Sequence, residues 1–303
     1  MKLCVASHVV LDEIINANGE SSESLGGPVC YGSLLAKTFG FAATPATKAG
    51  GDILPMLESL KACNVILKSS QIDKEMPTTR FRLVSRMNGG RDLFLLNRCS
   101  TVELKDIPEF DGIVISPVFN EISVTTLSAM IKNKNNQFIM FDPQGFLRRV
   151  TESNSVYNLT KLDLDLAGVT AIKADEEELS ALTGGISSID GMKILKKKFD
   201  IQFIISTYSN NILFLHKDIL YTINLKKLDS PDHTGLGDIL AAGFSCAYLK
   251  EKDPLWAICF GAGSVIAALQ SKKNGLEKVP PRKNQIERNA SYVYNTVKFK
   301  VID

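Results

Sequence analysis

What this chain of 303 residues lacks narrows its function first. Its six cysteines include no C-x-x-C pair, and its three histidines, His8, His216 and His233, lie far apart. A zinc site or a disulfide scaffold is therefore not expected, and most of the cysteines sit in apolar runs as reduced core residues. Neither sign of charge dominates. Lysine and arginine number 35 against 33 acidic residues, a formal net charge of +2. That balance argues against broad electrostatic binding to nucleic acid or an anionic membrane. The run Lys196-Lys197-Lys198 reads as a solvated helix end. The longest apolar stretch, Leu255 to Leu269, is too short to span a bilayer and contains Gly261 and Gly263. The opening MKLCVASHVVLDEI has neither the apolar core nor the small-residue cleavage site of a secretory signal, so a cytoplasmic location is expected. Low-complexity linkers and repeats of 20–50 residues are also missing.

What is present is ordinary globular composition, with 45% hydrophobic and 22% charged residues. A chain this long can bury a core that needs no disulfide or structural metal. Short continuous apolar runs read as strands buried on both faces: Leu3 to Ala6, Gly112 to Val118, Phe138 to Phe141, Val169 to Ile172 and Phe203 to Ile205. Helical spacing fills the intervals at Val29 to Phe39, Ile122 to Lys132, Glu176 to Leu182 and Met192 to Phe199. That alternation predicts one α/β domain over residues 1–303, a mainly parallel sheet between helix layers. Two segments break the rhythm. Residues 78–98 hold two strand-like arms around Met87-Asn88-Gly89-Gly90, and Asn-Gly favours a tight hairpin. Glu13 to Leu25 reads as a loop or a weak strand. Residues 12–25 and 78–98 together predict a small β lid over one edge of the sheet.

The chemistry concentrates at Asp232-His233-Thr234-Gly235-Leu236-Gly237-Asp238, followed by an apolar helical run to Leu249. A glycine-rich turn opens a helix whose first N–H groups are unpaired and suited to an anion. Asp238 beside such a hole repels phosphate, but makes sense as a base that takes a proton from an attacking hydroxyl. The plainer alternative is a helix capped by Thr234, with Asp238 complementing the dipole. The stretch is not a Walker A loop, because no lysine follows the second glycine.

This stretch resembles the second signature of the ribokinase/PfkB carbohydrate kinase family, D-x-T-G-A-G-D. Thr234, Gly235, Gly237, Asp238, Ala242 and Gly243 match, and Leu236 stands where a small residue is usual. Gly26-Gly27-Pro28 before a helix resembles the first signature, with Tyr31 in place of the common Asn. Val10-Leu11-Asp12 resembles the end of the family's first strand. Asp175-Glu176-Glu177-Glu178 and then Leu182-Thr183-Gly184 resemble its N-x-x-E motif and the following L-T-G, with Asp175 in place of Asn. Asp142-Pro143-Gln144-Gly145-Phe146-Leu147-Arg148 is similar to a segment of the family's myo-inositol kinase branch, as are Leu25-Gly26-Gly27 with Tyr31 and Leu96 to Ser100.

The resemblance implies a ribokinase-like three-layer α/β sandwich with a small β lid. It also implies transfer of the ATP γ-phosphoryl group to a hydroxyl of a sugar or cyclic polyol, myo-inositol foremost. Asp238 is then the base, and the N–H groups of Gly235, Leu236 and Gly237 form the anion hole. Asp175 and Glu178 place Mg²⁺ mostly through water. Ser206, Thr207, Thr234, Asn274 and Gly275 are the nucleotide candidates. Asp12, Gly26, Gly27, Tyr31, Gln144 and Arg148 are the acceptor candidates. Asp12, Asp142, Asp175 and Asp238 are expected to converge beyond the carboxyl ends of the strands. The lid leaves room for a homodimer through its edges. A sugar or nucleoside kinase of the same family, or a non-catalytic nucleotide or polyol sensor, remains open on these residues. A dinucleotide-dependent oxidoreductase wants G-x-G-x-x-G after the first strand, and none is there.

Overall fold

The computed structural model describes residues 1–16, 18–86, 91–133, 137–225, 230 and 232–302. In chain order the strands are β1 (Lys2–Ala6), β2 (Val10–Ile15), β3 (Ser21–Gly26), β4 (Ala42–Ala46), β5 (Ala49–Gly50), β6 (Ile72–Asp73), β7 (Thr79–Ser85), β8 (Arg91–Asn97), β9 (Gly112–Ile115), β10 (Phe138–Phe141), β11 (Arg148–Val150), β12 (Val156–Asn158), β13 (Ala171–Asp175), β14 (Phe203–Tyr208), β15 (Asn211–His216), β16 (Ile219–Asn224) and β17 (Lys298–Val301). The helices are α1 (Gly27–Thr38), α2 (Leu57–Ala62), α3 (Val124–Lys132), α4 (Gln144–Leu147), α5 (Glu176–Thr183), α6 (Ser188–Phe199), α7 (Leu236–Glu251), α8 (Pro254–Gln270) and α9 (Lys283–Thr296).

A nine-stranded sheet runs in the order β17-β16-β15-β14-β13-β10-β9-β1-β4. Six strands from β14 to β4 are parallel, and β15, β16 and β17 close one edge antiparallel. Alternate side chains of each parallel strand feed two cores. Leu3, Val5, Val114, Met140 and Ile205 face a core shared with α1, α7, α8 and α9. Cys4, Ile113, Ile139, Phe141 and Ile204 face a second one with α3, α5 and α6. Burial on both faces is why these strands read as continuous apolar runs rather than alternating ones. The apolar run Leu255 to Leu269 lies in α8, packed on α7 and α9. Among the described residues no helix is long and apolar enough to cross a membrane. All six cysteines are free and buried.

The second sheet is four-stranded, in the order β3-β2-β7-β8. Glu13 to Leu25, expected as a loop or a weak strand, takes the strand form on both sides of its turn, with Val10↔Gly26 and Ile15↔Ser21 in register. The polar run Ser21-Ser22-Glu23-Ser24 has little intrinsic strand preference, and pairing with β2 imposes the extended form. The arms at 78–98 pair antiparallel as β7 and β8. The expected Asn88-Gly89 turn lies outside the described residues. Hydrogen bonds tie this second sheet to the body. Leu95 N–H donates to the Asn154 carbonyl (3.0 Å) in the β11–β12 ribbon. Buried His8 joins Thr79 Oγ1 through Nδ1 (2.7 Å) and the Ser100 carbonyl through Nε2 (2.8 Å). A carbonyl only accepts, so Nε2 carries the proton and Nδ1 accepts from the threonine hydroxyl. Burial holds this imidazole below its ordinary pKa, which suits that neutral form.

Candidate active site

Helix α7 begins at Gly235, whose φ of 73° is left-handed. A Cβ there would also lie 2.5 Å from Tyr31 Cε2, so glycine is required twice over. No side chain among the described residues caps the helix. This corrects the capped-helix alternative: Thr234 does not cap, and its own N–H donates to Asp232 Oδ1 at 2.8 Å. The first N–H groups of α7 lie at a glycine turn, as an anion-binding helix start requires.

A cavity of about 280 Å³ opens at this turn. Its lining includes Gly235, Leu236, Gly237 and Asp238 from the start of α7, and Asp142, Gln144, Lys173, Asp175 and Glu178 from the strand ends and from α4 and α5. Asp142 follows β10, Lys173 and Asp175 end β13, and Thr207 lies near the end of β14. The cavity therefore sits where the parallel strands present their carboxyl ends. The lining also includes apolar Ile212, Leu225, Leu240 and Val265, and polar Thr207, Ser209 and Asn211.

Sequence reasoning missed Lys173. It is 6% exposed, and its Nζ donates to Asp142 Oδ2 at 2.9 Å and lies 3.6 Å from Glu178 Oε2. A Cβ on Gly237 would stand 3.2 Å from that Nζ, so the ammonium lies directly beside the first turn of α7. The available signal was a lysine inside the otherwise apolar strand Ala171-Ile172-Lys173-Ala174. Asp142 uses its other oxygen to accept the Gln144 N–H at 3.1 Å. Asp175 and Glu178 form a reciprocal cap on α5: Asp175 N–H donates to Glu178 Oε2 (2.7 Å) and Glu178 N–H to Asp175 Oδ1 (2.8 Å). The glycine of Leu182-Thr183-Gly184 ends that helix in the left-handed conformation, φ 74°.

Burial, and then the Asp142 charge, push the Asp238 carboxyl up to about 7, against the pull of Lys173, Arg148 and Lys278. Burial also raises Glu178, opposed by Lys173. Four carboxylates share the cavity with one ammonium. Their hard oxygens suit Mg²⁺. Among the described residues no three His, Cys, Asp or Glu side chains stand close enough to grip an ion directly. The donor set therefore fits a hydrated ion held through water and phosphate.

Of the residues expected from the sequence, Gln144, Asp175, Glu178, Thr207, Gly235, Leu236, Gly237 and Asp238 line this cavity. Asp12, Gly26, Gly27 and Tyr31 gather beside it. Gly26 lacks a Cβ that would come within 2.7 Å of Asp12 Oδ2, and the charges of both Asp12 and Asp238 bear on the Tyr31 hydroxyl. Tyr31 is only 2% exposed and belongs to the core as much as to any site. Arg148 lies against the lid, its guanidinium 5.7 Å from the Phe81 ring centroid and donating to the Val118 carbonyl. Asp142, Asp175 and Asp238 converge on the cavity, and Asp12 is not among its lining residues. Ser206 is buried within the sheet. Asn274 is exposed, while Gly275 N–H donates to Asp232 Oδ2, so neither lines the cavity.

Comparison with known proteins agrees with this geometry. The sequence profile of the pfkB family carbohydrate kinases matches residues 7–281. No curated protein sequence matches. Among solved structures, a pyrophosphate-dependent kinase in the ribokinase family, complexed with a pyrophosphate analog and myo-inositol, is similar with a TM-score of 0.78 at 19% identity, over 94% of this chain and 99% of that one. The ribokinase of Thermotoga maritima gives 0.75 at 17% identity, over 95% and 99%. The ribokinase of Arabidopsis thaliana, complexed with ribose and ATP, gives 0.71 at 14%, over 95% and 98%.

Proposed function

Because this chain belongs to the pfkB family of carbohydrate kinases, we propose that it transfers the γ-phosphoryl group of ATP to a hydroxyl of a cyclic polyol or sugar, with myo-inositol the first candidate. The observation that carries the reading is Asp238 in the first turn of uncapped α7, in one cavity with Lys173, Asp142, Asp175 and Glu178. A carboxyl raised to about 7 is a base matched to neutral pH. Asp238 takes the acceptor's hydroxyl proton as the oxygen attacks the γ-phosphorus and the bond from phosphorus to the bridging oxygen breaks, releasing ADP. The N–H groups of Gly235, Leu236 and Gly237, with the Lys173 ammonium, offset charge growing on the phosphoryl oxygens. Mg²⁺, when bound, neutralises part of the donor's phosphate charge. Asp175 and Glu178 orient its water shell, and their mutual cap keeps both carboxylates in place. The apolar lining residues Ile212, Leu225 and Val265 suit the base of a nucleotide, and Thr207 lines the same cavity.

On the acceptor side, Asp12 can accept two hydroxyl hydrogen bonds, and Gln144 can both donate and accept. Arg148, in reach of the field of Asp142 and Asp238, suits a hydroxyl or a phosphoryl oxygen. Tyr31 fills space in a way that favours a compact ring over a nucleoside. The test is product formation from ATP, and from pyrophosphate as a second donor, with myo-inositol, ribose, fructose, adenosine and cytidine under one Mg²⁺ condition. Turnover greatest with ATP and a polyol or sugar supports the reading. A nucleoside preferred by more than about tenfold in kcat/KM, ~1.4 kcal/mol, overturns the polyol assignment. Turnover with no pair, in the presence of saturable nucleotide binding, makes the protein a sensor.

A further inference from the structure

The inference concerns Lys278, which lies outside the cavity, and it rests on the kinase reading above. Its side chain is 0% exposed. A buried ammonium costs several kcal/mol unless it is well paired, and a Met or Leu fills similar space without that cost. The pairing is specific. Lys278 Nζ donates to Asp232 Oδ2 at 2.8 Å and to the Asp232 backbone carbonyl at 3.2 Å. It also lies 5.7 Å from the centroid of the Tyr31 ring. Asp232 in turn accepts the Thr234 N–H through Oδ1 and the Gly275 N–H (2.7 Å) through Oδ2. Against the upward push of burial, Lys278 and those two N–H groups hold the Asp232 carboxyl down to about 2, so it stays charged. The same Tyr31 ring packs against Gly235, the first residue of the anion hole. Thr234, fixed by Asp232, is its immediate neighbour.

We propose that Lys278 is a positioning residue for the anion hole: through Asp232 on one side and the Tyr31 ring on the other, its ammonium sets the turn that aims the N–H groups of Gly235, Leu236 and Gly237 at the transferred phosphoryl group. The contact tolerates no neutral replacement. An uncharged side chain leaves Asp232 partly buried beside Tyr31 without its ion partner, and the carboxylate then turns toward water and draws Thr234 with it. The loop that carries Lys278 also touches the lid, since a Cβ on Gly275 would stand 3.1 Å from Ser24 Oγ in β3. Closing the lid and shaping the hole are thereby joined through one loop.

Two measurements test this, on Lys278→Met and Lys278→Ala in the full chain. The first is amide hydrogen exchange over residues 232–238 in the absence of ligands, which needs no turnover. It should be faster in Lys278→Met than in the wild type, with exchange in β13 and β14 unchanged. The second is kinetics. Lys278→Met should lower kcat on the order of 10²-fold, as loss of aligned oxyanion donors does, and leave the acceptor KM alone. In Lys278→Ala, added ammonium or methylammonium ion should restore part of kcat, while tetramethylammonium, too large for the space, should not. Unchanged exchange over residues 232–238 overturns the proposal. So does a kcat loss that ammonium fails to recover and that follows a general fall in thermal stability, because Lys278 is then a packing residue. A wild type that turns over no donor and acceptor pair defeats the kinase reading instead, and the exchange measurement still decides whether Lys278 sets the turn.

Discussion

The two ends of the cleft hold their charges in opposite ways. At the α7 end, Lys173 is buried between Asp142 and Glu178, and Lys278 against Asp232. At the lid end, Arg82 pairs with Glu13 (2.8 Å) and Arg80 with Glu23 on a surface that water reaches. Buried pairs feel a low dielectric and cannot be remade by solvent, so losing one partner leaves an uncompensated charge. Exposed pairs are screened and contribute roughly 0–1 kcal/mol. On the function proposed above, the end assigned to phosphoryl transfer is interlocked, and the end assigned to the acceptor is loosely tied. That contrast predicts a steep fall in the effect of substitutions from one end to the other.

The largest effect belongs to Asp238→Asn. The amide keeps the shape but accepts no proton, and kcat should fall on the order of 10²–10⁴-fold. In the wild type, kcat/KM should rise with pH through about 7, as this carboxyl ionises. Stability should move the other way. The folded carboxyl titrates at about 7 against an ordinary 3.8, so its contribution is fully present below 3.8 and is lost as pH rises through 7. Asp238→Asn lacks that loss. It should unfold like the wild type at low pH and be the more stable protein above pH 7, a trade of stability for function. Thermal unfolding across pH checks this; equal melting temperatures above pH 7 would show that the carboxyl is not destabilised where it stands.

Next comes Lys173→Met. It strands Asp142 and Glu178 in the interior, and should cost on the order of 3–5 kcal/mol of stability as well as turnover. Urea unfolding of this variant beside Arg82→Gln measures the contrast between the two ends directly. A similar loss in both would erase it. Below that lies Glu178→Gln. The amide can still accept the Asp175 N–H, so the α5 cap survives. The Mg²⁺ concentration for half-maximal rate should then rise about tenfold, the low end for residues that orient a metal's surroundings, with acceptor KM unchanged. An unchanged Mg²⁺ titration removes Glu178 from the metal's surroundings.

The same contrast governs what could be read from the sequence. The α7 end was legible because its requirements are local: a glycine-rich turn, a helix start and a carboxylate in the first turn all lie within Thr234 to Asp238, although these residues alone leave open whether Thr234 caps the helix. Five of the six parallel strands were legible because burial on both faces leaves continuous apolar runs, whereas β4 at the sheet edge, Ala42-Ala43-Thr44-Pro45-Ala46, is half covered and went unread. What depends on contacts across the chain was not. Ser21 to Gly26 is a strand only because β2 pairs with it. The antiparallel edge of β15, β16 and β17 carries mixed, partly exposed side chains and went unread. Nothing in Gly275-Leu276-Glu277-Lys278 announces that its lysine is buried against a carboxylate 46 residues earlier. Asp12 was expected beside the other aspartates, and its strand β2 belongs to the second sheet rather than the main one.

The smallest expected effect is on lid stability, and it sharpens the comparison most. Arg82→Gln should change the free energy of unfolding by no more than about 1 kcal/mol, because Glu13 is left facing water rather than buried. The same variant need not be silent in function. The lid's base is pinned by buried bonds: Cys99 N–H and the His8 ring both meet Thr79 Oγ1. Its arms above that base rest on Phe81 and Leu83, packed with Val10, Val118 and Phe119, and on Arg148 stacked over Phe81. Amide exchange should therefore be slow at Thr79 and Cys99 with or without ligands. Along the rest of β7 and β8 it should be faster than in the central sheet, and should slow when acceptor and nucleotide bind together. Arg82→Gln should leave the first pattern alone and weaken the second, raising the acceptor KM with little change in kcat. Protection of β7 and β8 that is the same with and without ligands would make the lid a fixed wall, and acceptor choice would then rest on Asp12, Gln144 and Arg148 alone.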